Sequence, residues 1–278
     1  MTFGQQPQGN NANGFNGQPY GQNQYNQNPY VQNQYQYAPQ GAYAQSVPAQ
    51  ATYSYERAER VSVTRAYGEM TIGLLVTAAV AILTQVTGAY IALIQALGVI
   101  GVWAPLIVEV VLAIYLAARI EKISPTTARV MFYVYAAIMG FSLSTIFMAY
   151  DFGTIGISLA LCAGFFFALT MLGMTTKVNV LKAGPVLMVG LIVLIVAEVL
   201  LMIFAPGQTT LMLVSAIGLV LFAGMTVYDA QSTRALFAQY AGQGEEMIKK
   251  VSIICALNLY LDFVNIFLYV LQLLGDRD

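Results

Sequence analysis

Between Met70 and Ala118 the chain runs for 49 residues with a single charge, Glu109. One helix cannot use so long an apolar run, because about twenty residues at 1.5 Å of rise already cross a hydrocarbon core of roughly 30 Å. The run therefore holds two crossings and a short turn. The same rule places spans at 70–90, 99–118, 128–149, 153–174, 184–204 and 210–230, with a last one inside Lys249–Gly275. They are separated by polar or helix-breaking stretches: Arg119 to Pro125, Tyr150-Asp151, Lys177 to Gly184 and Ala205-Pro206-Gly207. Charged residues make up 9% of the chain, where a soluble domain carries roughly 25%. The expected fold is an all-α integral membrane protein with seven transmembrane helices.

Residues 1–55 carry no charge and are dominated by Gln, Asn, Gly, Pro and Tyr, with a loose pentad ending at Tyr20, Tyr25, Tyr30 and Tyr35. Such a tract lacks the aliphatic side chains to bury a core, and a disordered tail is expected. It has no basic segment followed by an apolar one, so it does not read as a secretory signal. Residues 56–69 form a charged juxtamembrane segment of helical character, and 70–275 the membrane domain.

Lys and Arg set the orientation. Eleven of the twelve fall in the tail and in the loops after spans two, four and six, and only Arg277 falls on the other side. The amino terminus is thus expected in the cytoplasm and the carboxyl terminus outside. With no clustered cations, nucleic acid is not an expected partner. Cys162 and Cys255 lie in apolar runs and read as small packing residues. There is no histidine. Any sensing of protons near neutrality therefore falls to carboxylates.

The closing run, KKVSIICALNLYLDFVNIFLYVLQLLG, holds an acid, Asp262, deep in a crossing helix. Cys255, Asn258, Asp262, Asn265, Tyr269 and Gln272 recur three and four residues apart and share one face. That face should meet protein or water rather than lipid. A carboxylate near mid-bilayer costs about 2.5–3.5 kcal/mol on insertion scales, so it calls for a cation, a shared proton or a cavity. Glu109 in span two and Glu198 in span five are further intramembrane acids, and Asp229 stands at the end of span six in AGMTVYDAQST. Taken alone, Asp229 reads as a solvated helix-end carboxylate. Glu109, Glu198, Asn258 and Asn265 are candidates to line a cation path, and either glutamate could instead hydrogen-bond a neighbouring helix.

AGMTVYDAQ followed by LNLYLDFVNIFLYVLQLLG closely resembles the transmembrane Bax inhibitor motif family, over about residues 60–275. The resemblance implies two three-helix layers around a central last helix and a pH-sensitive calcium leak. In it, Asp229 and Asp262 match a hydrogen-bonded aspartate pair that acts as proton sensor. A basic residue of the second helix latches the closed state, for which Arg119 is the best match and Arg129 the competitor. Two touching carboxyls in a poorly hydrated site cannot both ionise cheaply, so they titrate in coupled steps. Once ionised they are hard oxygen ligands able to pass Ca²⁺ transiently. No cofactor is expected, only Ca²⁺ as cargo, with H⁺ and membrane lipid as partners.

This sequence departs from the family pattern in a longer segment between the aspartates, STRALFAQYAGQGEEMIKK. Asp262 also lies twelve residues beyond Lys250, about 18 Å along a helix. Pairing therefore requires span six to continue past Asp229 or span seven to begin before it enters the membrane. The second is the expected solution, with Lys249 and Lys250 snorkelling.

A Tyr-Asp pair in one helix and an aspartate in the next also resembles intramembrane aspartyl proteases. Leu259, Tyr260, Leu261 and Phe263 crowd Asp262, however, where a substrate backbone would need room, so no enzyme is expected. A retinal-type pump would need a buried lysine in the seventh span. The stronger alternative is a membrane-embedded modulator of a membrane-bound protease or other partner, engaged through the tail. Tail composition and the lack of an organelle signal favour a bacterial cytoplasmic membrane.

Overall fold

The computed structural model describes residues 49–205 and 207–275. The expectation of a disordered tail falls outside the described residues, except that 49–55 already belong to the first helix. Among the described residues seven helices are long and apolar enough to cross a membrane, and no strand occurs. They are α1 (Ala49–Thr87), α2 (Val99–Arg119), α3 (Pro125–Leu143), α4 (Phe152–Thr175), α5 (Gly184–Phe204), α6 (Gln208–Tyr240) and α7 (Glu245–Leu274).

Local sequence explains several boundaries. Ser124 accepts from the Thr127 N–H at 3.1 Å with Pro125 in the first turn, a favourable start for α3. Asp151 caps α4 by accepting from the N–H and hydroxyl of Thr154, and these donors hold its carboxyl below the usual carboxylate range. The turn expected between the first two spans is itself a short helix, Ala89–Leu97. Gly88 and Gly98 bracket it at φ 65° and 59°, where a Cβ would be strained.

α7 is the axis. It packs against α1 and α3 on one side and α4 and α6 on the other, while α2 rests on α3 and α5 on α6. Two three-helix layers, α1–α3 and α4–α6, thus enclose the last helix. Most of its residues from Lys250 to Leu271 are buried, whereas α5 turns Val186, Val189, Ile192, Val193, Val196 and Ile203 outward. Apart from Glu198, α5 is apolar all round, which suits lipid and lets it lie at the edge. Each layer contains one close approach. A Cβ on Gly140 of α3 would press into the Thr77 carbonyl oxygen of α1, and one on Gly173 of α4 would lie 2.6 Å from that of Val227 in α6. Small residues at such crossings let helix backbones touch where lipid supplies no hydrophobic drive.

Two expectations need correction. Span six does not end near residue 230: α6 runs on to Tyr240, and α7 begins at Glu245 after the short turn Ala241–Gln243. Both solutions to the depth problem hold together, where only the second was expected. The polar residues that suggested a loop are working contacts. The Gln231 side chain accepts from the N–H groups of Val180 (2.7 Å) and Leu181 (3.2 Å) and donates to the Val178 carbonyl (2.9 Å), while Arg234 donates to the Met174 carbonyl at 2.6 Å. α6 thereby holds the α4–α5 connection.

Lysine behaviour also differs. Lys249 stays partly exposed and pairs with Glu245 at 2.8 Å, as a snorkelling side chain can. Lys250 is buried, donating to the Glu121 carbonyl while pairing with Glu246, both at 3.2 Å. Its ammonium ties the start of α7 to the α2–α3 turn.

Candidate functional site

α6 and α7 are neighbours in a tight antiparallel hairpin, so residues rising along one meet residues falling along the other. Ser215 donates to Gln272 at 2.6 Å, and Gly218 and Phe222 lie against the Tyr269 ring. Thr226 lies beside Asp262, Asp229 touches both Asn258 and Asp262, and Thr233 lies beside Cys255. The α6 members step three and four residues at a time and are all buried. This is the polar face anticipated for α7, matched by a polar face of α6 that the sequence reading did not single out.

At its middle the carboxyl groups of Asp229 and Asp262 are in hydrogen-bonding contact. Asp229 is 6% exposed and Asp262 2%, so neither is the solvated helix-end acid that Asp229 alone suggested. Continuation of α6 beyond Asp229 is what buries it. Asn258 lies against Asp229, while the Thr226 hydroxyl donates to the Phe222 carbonyl at 2.8 Å. Oδ2 of Asp262 is buried without a hydrogen-bond partner among the described residues. Two carboxyls in such contact away from water cannot both ionise cheaply, because two like charges there would repel strongly.

The other candidates sit elsewhere. Glu109, 5% exposed, accepts from the Ser142 hydroxyl at 2.7 Å between α2 and α3. Glu198 on α5 accepts from the Tyr269 hydroxyl at 2.7 Å. Asn265 donates to the Leu261 carbonyl of its own helix at 2.7 Å, although it shares the sequence period of Asp262. Arg119 is exposed at the end of α2 with no ion pair among the described residues. Arg129 is committed to α1: its Nε donates to Glu69 at 2.8 Å, and the Tyr133 hydroxyl donates to the other Glu69 oxygen at 2.6 Å.

Glu69 was read only as part of a charged segment. Its partners lie 60 and 64 residues away, so no local spacing announced them. Thr226 and Thr233, by contrast, stand three and four residues from Asp229, a signal that was available. No group of three or more His, Cys, Asp or Glu side chains gathers among the described residues. A passing cation in this seam would meet the two aspartate carboxylates and the Asn258 amide, all oxygen donors of the kind Ca²⁺ accepts.

The family model described as "Inhibitor of apoptosis-promoting Bax1" matches residues 59–278. "Inner membrane protein YbhL" of Escherichia coli (strain K12) is 34% identical over 213 residues, covering 76% of this chain and 89% of its own. An uncharacterized protein of Borreliella burgdorferi is 33% identical over 213 residues, covering 77% and 90%. "Uncharacterized protein RP147" of Rickettsia prowazekii is 31% identical over 226 residues, covering 81% and 93%. The family match takes in both aspartates and leaves most of the tail outside.

Proposed function

Because this chain belongs to the Bax inhibitor family, and its seven apolar helices make it an integral membrane protein, we propose that it is a pH-sensitive calcium leak. The gate is the proton shared by Asp229 and Asp262. One observation carries the reading: two buried carboxyls from adjoining antiparallel helices touch in the middle of a polar seam. With the proton in place, the contact holds α6 to α7. When it leaves, repulsion between two carboxylates of low hydration favours separation, and the freed oxygens face the seam as weak Ca²⁺ ligands.

Glu198 stands beside Tyr269 at the far end of this seam and Glu109 between α2 and α3, each held by one hydroxyl donor. Of the two latch candidates, Arg129 already holds Glu69, which leaves Arg119 as the better one. The reading is not enzymatic. Leu259, Tyr260 and Phe263 are packed into the core beside Asp262, where a substrate backbone would need access. The membrane is the bacterial inner membrane, a reading that the name of the Escherichia coli relative supports. The amino terminus faces the cytoplasm, where a membrane-protein partner could reach the tail; no cofactor takes part.

The test is dye-reported Ca²⁺ entry into proteoliposomes at several pH values, for wild type, Asp229→Asn and Asp262→Asn. Wild type should show a pH-dependent flux, and Asp262→Asn a flux without pH dependence. An unchanged profile removes Asp262 from the gate. Wild-type flux equal to that of empty liposomes at every pH would end the leak reading in favour of a partner-binding role.

A further inference from the structure

The seam between α6 and α7 is not polar along its whole length. From Ala216 to Met225 α6 carries no polar side chain, with Ser215 before this stretch and Thr226, beside Asp262, after it. Across the stretch lies the ring of Tyr269, seven residues beyond Asp262 and so about 10 Å further along α7. The ring is buried and tilted against Phe222, with centroids 5.8 Å apart. A Cβ on Gly218 would overlap it. Gly218 and Phe222 stand four residues apart and share a face of α6. The side chain missing at Gly218 is the space that the ring occupies.

The tip of that ring is held by a third helix. α5 rests on α6, yet its Glu198 accepts from the Tyr269 hydroxyl at 2.7 Å. The phenol thus spans from α7 across the notch at Gly218 to α5. Glu198 is the only polar side chain of α5, half-buried and about 9 Å from the helix end at Phe204. An acid at that depth in an otherwise apolar helix is costly without a partner. Gly218 and Phe222 bound the face of the ring, and the bond to Glu198 pins its end.

We propose that Tyr269 closes the seam to ions between its Ser215–Gln272 end and the aspartates, and that Glu198 is the positioning residue that keeps the phenol across Gly218. An ion entering beside Ser215 and Gln272, themselves joined at 2.6 Å, meets two aromatic rings and no polar side chain of α6 before Thr226. An apolar constriction of this kind excludes hydrated ions. The inference rests on the leak reading above and adds to it a closure separate from the aspartate contact. Glu198 acts in it by accepting a hydrogen bond, not by attracting cations.

The experiment places a thiol on the aspartate side of the ring, as Thr226→Cys in a full chain with Cys162 and Cys255 replaced by alanine. Its rate of labelling by a small water-soluble thiosulfonate is read in lipid nanodiscs. Tyr269→Phe, which keeps the ring, and Glu198→Leu should each speed labelling roughly threefold, the factor that losing one average interhelical hydrogen bond supplies, and together no further. Glu198→Gln keeps an acceptor without the charge and should label at the parent rate. Tyr133→Phe breaks a like bond, to Glu69, away from the seam and should also leave the rate in place. Calcium flux into proteoliposomes, measured on chains without the reporter thiol, should rise in the same variants. An unmoved rate in Tyr269→Phe, a rate in Glu198→Gln equal to that in Glu198→Leu, or an equal rise in Tyr133→Phe overturns the proposal. Faster labelling without calcium flux in any variant upholds the closure and rejects the leak. Wild-type flux with labelling that no variant alters keeps the leak and rejects the closure.

Discussion

α7 meets the two layers of the bundle through different kinds of surface. Toward α1 and α3 it presents Tyr260, with Phe132 and Tyr135 edge-on at 5.7 and 5.9 Å and a hydroxyl that shares a 2.6 Å hydrogen bond with Thr77. Thr77 in turn donates to backbone carbonyls of α1 or α3. The ring is fully buried and its polar atom is satisfied. Toward α6 the same helix presents the polar seam, with one carboxyl oxygen unpartnered at its centre. Both surfaces are buried, yet only the second carries carboxyl groups, on which the proposed gate depends. In the proposed function, aromatic packing is the fixed side of the axis and the carboxyl contact the adjustable side.

That contrast can be broken by substitution. The largest effect should come from Tyr260→Ala, which empties the aromatic joint and should cost about 3–5 kcal/mol, read from unfolding of the purified protein by a denaturing detergent. Molecules that remain folded should keep the wild-type midpoint of pH response. Next come the two close approaches. Gly140→Ala and Gly173→Ala each push a methyl into a backbone carbonyl and should cost about 1–3 kcal/mol in the same assay. Only Gly173→Ala displaces α6 beside Asp229, so only it should move the pH profile; equal profiles would erase the distinction between the sides. Tyr269→Phe removes the bond to Glu198 and should cost about 0.6 kcal/mol, the average for interhelical hydrogen bonds in membranes.

The smallest effect lies outside both surfaces. The Thr154 donors hold the Asp151 carboxyl below the usual range, so its capping of α4 is complete above about pH 4 and is lost as pH falls through the lowered value. Asp151→Ala should speed amide exchange at Thr154 relative to wild type at neutral pH. The difference should fade in acid, once the wild-type cap is protonated too.

The spans were legible because lipid imposes one period and one length on every crossing, and the three-and-four spacing around Asp262 survived into the buried face of α7. The length of α6 was not. Gln231, Thr233 and Arg234 look like loop residues by composition, but their polar atoms serve the α4–α5 connection and the seam from within a helix. Lys250 was misread for a related reason, since a carbonyl of another turn, far away in sequence, replaces water around its ammonium. Glu69 stood in a charged stretch, and its partners on the third helix are brought to it only by folding. Contacts within a helix leave a period in the sequence; contacts between helices leave composition alone.

The hold of Gln231 on the backbone around Val178, Val180 and Leu181 gives the hidden chemistry an outward sign. Gln231 stands two positions beyond Asp229 on the same rigid rod, so any sliding or turning of that rod drags the connecting strap between the fourth and fifth helices. A reporter dye or a protease site placed on the strap, at Lys177 or Val178, would register what happens at acids that no reagent in solution can touch.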